Sequence, residues 1–138
     1  MTHPGRRPCP DERGVSLSAF VAVVVVALLA MGGLVIDGGA QSSARRECQQ
    51  VATEAARAAS DAGAMRRAAG QPGDAGEMRA AAQAVLDAHG GVSGVVTVTT
   101  DQIRVETART VETSFLSLVG IRTLQASGAA EAALQGTG

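Results

Sequence analysis

The chain has 138 residues, room for one small domain plus an anchor. Twelve arginines against thirteen acids leave a net charge of -1 with no basic stripe, which argues against a nucleic-acid partner. Lys, Asn, Tyr and Trp are absent while Ala and Gly abound, a bias of the kind GC-rich bacterial genomes impose. Phe20 and Phe115 are the only aromatics, and much of the 46% hydrophobic content is Ala. Burying a large aliphatic side chain contributes roughly 1.5 to 3 kcal/mol and Ala far less, so any water-facing core is thin.

The first 14 residues carry Arg6, Arg7 and Arg13, with His3 and Cys9 too sparse to form a site. Val15 to Ile36 follows, 22 residues without a charge, bounded by Arg13 and Asp37. At a rise of 1.5 Å per residue such a helix reaches about 33 Å, enough to cross a bilayer. The basic residues ahead of the span predict a cytoplasmic N-terminus, placing everything from Asp37 onward outside the cytoplasm. Domains of 1–14 (cytoplasmic tail), 15–36 (transmembrane helix) and 37–138 (extracytoplasmic α+β domain) are expected. A rival is a cleavable signal, since Gly38, Gly39 and Ala40 offer small residues to a peptidase. Signal cores, however, run about 7 to 15 apolar residues, and an acid just before the cleavage site is atypical. Cys9 and Cys48 flank the span and cannot pair within one chain; they read as ordinary thiols, with a crosslink from Cys48 to a neighbour as the alternative.

From Gln41 to Ala69 the pattern is helical, with Val51, Ala55, Ala58, Ala62 and Met65 on one face and Arg46, Gln50, Thr53, Arg57 and Ser60 on the other. This helix is expected to pack on its own domain, or alternatively on another subunit. Gly32-Gly33 and Gly38-Gly39 mark the place where a continuous rod would bend. Gly70 to Gly73, with Pro72, breaks the pattern, and Asp74 with Glu77 resembles a capping box. Residues 75–89 then read as a short helix with Met78, Ala81, Ala82, Val85, Leu86 and Ala88 on its apolar side. Gly90-Gly91 stops it, and His89 reads as a helix-end charge or plain surface.

The composition then turns to Val and Thr. Val96, Val98 and Thr100 alternate with Thr97 and Thr99, and after Asp101-Gln102 Ile103, Val105 and Thr107 alternate with Arg104, Glu106 and Ala108, predicting two strands joined by a tight turn. Arg104, Glu106, Thr110 and Glu112 would line the wet face. Phe115, Leu116, Leu118 and Val119 form an apolar knot ending at Gly120, expected as a helical turn against the sheet. The last segment, residues 121–134, fits helix or strand; a third strand would stabilise the hairpin. Residues 135–138 look frayed.

No constellation carries chemistry. There is no metal-ligand spacing, no phosphate loop and no nucleophile with its base, so the chain is read as a non-enzyme without cofactor, metal or small-molecule substrate. Asp11, Glu12, Asp37 and Asp61 read as solvated charges. Asp37 stands apart, since a carboxylate at a lipid boundary is either an interface marker or a contact to another membrane protein.

The order Arg13-Gly14, apolar helix, Asp37, then a helix with Gln49-Gln50 and the run Ala55-Ala56, Ala58-Ala59, Ala62 resembles the N-terminal region of tight-adherence (Tad or Flp) pilus-assembly proteins of the TadE and TadG-like type. The likeness covers residues 13 to about 62. Farther on, Phe115, Leu118, Gly120, Ala126 and Ala129-Ala130 are similar to the small sheet of the same family. The resemblance implies a single-pass bacterial membrane protein whose partners are the membrane and other pilus-assembly or pilin subunits. It makes Arg13, Gly14 and Asp37 a membrane-boundary motif and Gly14-Val15 the candidate site for a prepilin peptidase. Processed pilin-like proteins often carry Glu at the fifth position after the cleaved Gly, and here that position is Ala19. The leading expectation is therefore a membrane-held assembly component. The alternatives are a processed minor pilin and a secreted binding protein freed near Ala40.

Overall fold

The computed structural model describes residues 12–134; the expectations for His3, Arg6, Arg7, Cys9, Asp11 and the last four residues lie outside that range. The fold is α+β. A 57-residue helix, α1 (Glu12–Ala68), is followed by α2 (Ala75–Ala88), strands β1 (Ser93–Val98) and β2 (Gln102–Glu112), a 3-10 turn η1 (Leu116–Val119) and strand β3 (Thr123–Ala133). Span and amphipathic helix are thus one uninterrupted element, and the helix runs through Gly32-Gly33 and Gly38-Gly39 without a break. Its end is a Schellman motif. Gln71 N–H donates to the Arg66 carbonyl and Gly70 N–H to that of Arg67, both at 3.0 Å, with Gly70 at φ 72°.

Asp74 caps α2 by accepting from Gly76 N–H at 2.7 Å, but the expected box is only half made. Glu77 turns instead to Arg66 at the end of α1, 2.7 Å away, so a residue that would close a local loop ties two helices together. At the other end, His89 Nδ1 lies 2.9 Å from the Val85 carbonyl, and its Nε2 is 3.8 Å from Glu54 on α1.

The strands form one antiparallel sheet in the order β1-β2-β3. Thr99 N–H donates to the Gln102 carbonyl at 2.9 Å, closing the tight turn between β1 and β2. Val96 pairs with Val105, and Val105 with Ala130, so the inward faces of the three strands coincide. The last segment is a full strand, paired residue for residue with β2 from Gln102↔Ala133 to Glu112↔Thr123. On the outer face Arg104 joins Glu106 and its cross-strand partner Glu131, each at 2.8 Å, in the wet row that alternation predicts.

The upper half of α1 and α2 cover the inner face. Ala44, Cys48, Val51, Ala52, Ala55, Ala56 and Ala59 meet Ile103, Val105 and Ala126, while Met78, Ala82 and Leu86 close the α2 side. The helix therefore packs on its own domain. One expected member is wrong: Met65 points to solvent at 68% exposure, and Met78 from α2 fills the corner beside Gly63 and Gly73. The helical period drifts by this point, so the stripe continues at Ala62 and Gly63 rather than Met65.

Candidate functional site

The chain's polar bonds of longest reach gather where α1 leaves its apolar half. Asp37, 3% exposed, does not stand in solvent and does not face outward. Its carboxylate accepts three backbone N–H groups across more than 70 residues of chain: Ser114 to Oδ1 at 2.9 Å, and Phe115 and Leu116 to Oδ2 at 3.0 and 2.7 Å. The amides of Ser114 and Phe115 precede η1 and that of Leu116 opens it, so the carboxylate serves η1 as a side-chain cap serves a helix. The Leu116 bond is the strongest influence holding the carboxyl below its ordinary 3.8; burial opposes it, and the Ser114 and Phe115 bonds add to it.

One turn below, Gly33 receives Phe115. A Cβ at Gly33 would fall 2.5 Å from the Phe115 Cβ, so only glycine lets the ring seat on the helix backbone. The apolar knot therefore docks on the apolar half of α1 and not on the sheet, correcting the expectation above. Its physical reason is Asp37, which draws residues 114–116 to α1. Between the two elements lies an apolar groove of about 380 Å³, lined by Val26, Leu29 and Leu34 on one side and Phe115, Leu118 and Val119 on the other.

Above Asp37 a second set of bonds fixes helix to sheet. The Gln49 carboxamide holds Ala129 twice, Nε2 donating to its carbonyl at 2.7 Å and Oε1 accepting its N–H at 3.3 Å. Gln41 Nε2 donates to the Gln125 carbonyl at 3.2 Å. Two glutamines thereby occupy part of the outer edge of β3, which would otherwise offer open backbone groups. Thr107, on the buried side of β2, donates to the Cys48 carbonyl at 2.9 Å, with the Gly128 carbonyl 3.2 Å away. Arg109, on the same side, pairs with Glu47. Gly128 itself touches the helix backbone: a Cβ there would lie 2.5 Å from Gln49 N and 2.6 Å from the Cys48 carbonyl carbon.

Cys48 is fully buried, with its sulfur 3.8 Å from the Ala126 carbonyl oxygen, so a crosslink to a neighbouring subunit requires the domain to open. Arg13 and Gly14 lie on the first turns of α1, about 36 Å along the axis from Asp37. Arg13-Gly14 and Asp37 thus bracket the apolar half of α1 and form no shared site. Among the described residues no three His, Cys, Asp or Glu side chains converge as metal ligands. Among the residues that tie the domain to the helix, Gln41, Thr107 and Gly128 carry no motif in the sequence, whereas Gln49 belongs to the order on which the family resemblance rests.

Residues 14–70 match a family of putative Flp pilus-assembly proteins, TadE/G-like, over the first of the two resembling regions; the match does not reach the sheet. The match is nearly coextensive with α1. Neither curated proteins nor solved structures yield a match.

Proposed function

We propose, from the TadE/G-like match over residues 14–70, that this chain is a membrane-anchored, non-enzymatic component of a Tad/Flp-type pilus-assembly system. The observation that carries the reading is that the matched segment is a single helix, apolar and bare in its first half and buried by the domain in its second. The first half is long and apolar enough to cross a membrane. Because the helix is continuous and Asp37, Gln41 and Gln49 tie sheet and turn to it, the domain is held at a fixed height and orientation over the bilayer. Such an arrangement suits a part that presents surfaces to partner subunits. The basic residues before the span set the N-terminus in the cytoplasm and the domain outside.

A reporter fused after Gly138 tests the orientation, with activity expected only on the extracytoplasmic side. Copurification with other pilus-assembly subunits after crosslinking in membranes tests the role; recovery of the chain without any of them contradicts it. A second reading, a minor pilin processed between Gly14 and Val15, draws on the unbroken α1, which would enter a filament as one rod. A mature N-terminus at Val15 in sheared filaments would favour it. An intact N-terminus in the membrane fraction favours the anchored component.

A further inference from the structure

The anchor is not the whole of the apolar surface. Thr113 to Ile121 is a second uncharged stretch, bounded by Glu112 and Arg122. In it Leu118 is 82% exposed, Val119 74% and Ile121 46%. The turn lies alongside the span, below Asp37: Phe115 sits on Gly33, and the groove extends down to Val26. By helix rise, Val26 is about 15 Å toward the membrane centre from Ile36. We infer that η1 is a second membrane-inserting element, a capped apolar turn immersed in the outer leaflet beside the span, with a lipid acyl chain occupying the groove between Leu29, Leu34, Leu118 and Val119. This rests on the span being in lipid.

Three observations favour lipid over another occupant. The groove walls run directly into the exposed apolar sides of α1, so whatever solvates Leu29 and Leu34 also reaches Leu118 and Val119. The nearest charges, Asp37, Glu112 and Arg122, sit at the ends of the apolar segments, leaving none among the residues facing the groove. Backbone groups in hydrocarbon must be satisfied internally, and six N–H groups of this turn have partners within the chain. Asp37 takes the amides of 114, 115 and 116, Leu118 N–H donates to the Phe115 carbonyl, and Gly120 and Ile121 N–H donate to those of Ser117 and Leu116. The Ser117 hydroxyl donates to the Ser114 carbonyl at 2.6 Å.

The chain has no Trp, so L118W and V95W each create a single-indole protein, both at exposed positions the fold does not depend on. The full chain is reconstituted in dioleoyl phosphatidylcholine vesicles with and without acyl-chain-brominated phosphatidylcholine. For L118W the expected result is blue-shifted emission, strong loss of intensity with bromolipid, little loss with acrylamide, and no change on dilution in lipid. V95W, on the outer face of β1, should respond in the opposite way. Acrylamide quenching of L118W equal to that of V95W overturns the inference. So does shielding from acrylamide without bromolipid quenching, which would place a second copy or another protein on the turn. Failure of the chain to float with the vesicles is read separately and overturns the anchor itself.

Discussion

Val25, Leu29 and Leu34 in the lower half of α1 are 48%, 63% and 61% exposed, whereas Ala52, Ala55 and Ala59 in its upper half are completely covered. A water-soluble helix distributes these residue types the other way round, with large aliphatics inside. The inversion makes sense if the two halves have different solvents. In lipid, Val and Leu lose nothing by facing outward, so the lower half needs no polar face. In the domain, the helix must come within backbone contact of β3, and only small residues permit it, as Gly128 against Cys48 and Gln49 makes plain. Close approach and the hydrogen bonds of Gln49, Gln41 and Thr107 join the buried apolar cluster in holding the upper half to the sheet.

The contrast can be broken from either side, and the largest effect is expected in the lower half. V25R places a charge mid-span at a cost of about 2.5 to 3.5 kcal/mol on insertion scales, so the variant should shift from the membrane fraction; unchanged fractionation would count against a lipid environment. In the upper half, G128V drives a side chain into helix backbone, and overpacking of this kind costs about 1 to 3 kcal/mol. For a domain of about 100 residues that is a fall in Tm of several degrees or more by circular dichroism in detergent. An unaltered Tm would mean that β3 does not lie on α1.

At the junction between the halves, D37A should raise hydrogen exchange at the amides of Ser114, Phe115 and Leu116 while leaving those of β2 protected. D37N, which keeps one acceptor oxygen, should fall between. The cap also sets a pH dependence. The folded carboxyl lies below the ordinary 3.8, so its contribution is complete above that value and is lost as the pH falls through the folded one. Protection of the three amides should therefore be flat from about pH 5 to 8 and fail only in stronger acid. The smallest effect belongs to R109Q, which removes a half-exposed pair with Glu47 and should change stability by no more than about 1 kcal/mol.

The span and the first two strands were legible because each obeys a single period or none: an uncharged run in one case, strict alternation in the other. β3 reads as either helix or strand in the sequence because Ala126, Gly128 and Ala130 are poor strand formers. They are small because a helix lies on them, which a local window cannot see. Met65 was misplaced for a related reason, since the partner that fills its corner, Met78, comes from the next helix. Asp37 was visible as an oddity but not as a cap, because its partners lie 77 to 79 residues away and are backbone amides that carry no residue signature. For the same reason the sequence points η1 to the sheet rather than to α1.

A residue-by-residue accessibility scan of α1 in vesicles tests the two-solvent account most directly, using spin labels at single cysteines from Leu17 to Ala62 in a C9S/C48A background, with oxygen and a polar nickel chelate as colliders. The prediction is high oxygen and low nickel access around the whole circumference of residues 17–32. From residue 44 to 62, access should instead follow a helical period with minima at the positions of Ala44, Cys48, Ala52, Ala55 and Ala59. Nickel access on one face of residues 17–32, with the opposite face shielded from both colliders, would make the lower half an amphipathic protein-packed helix and contradict the account.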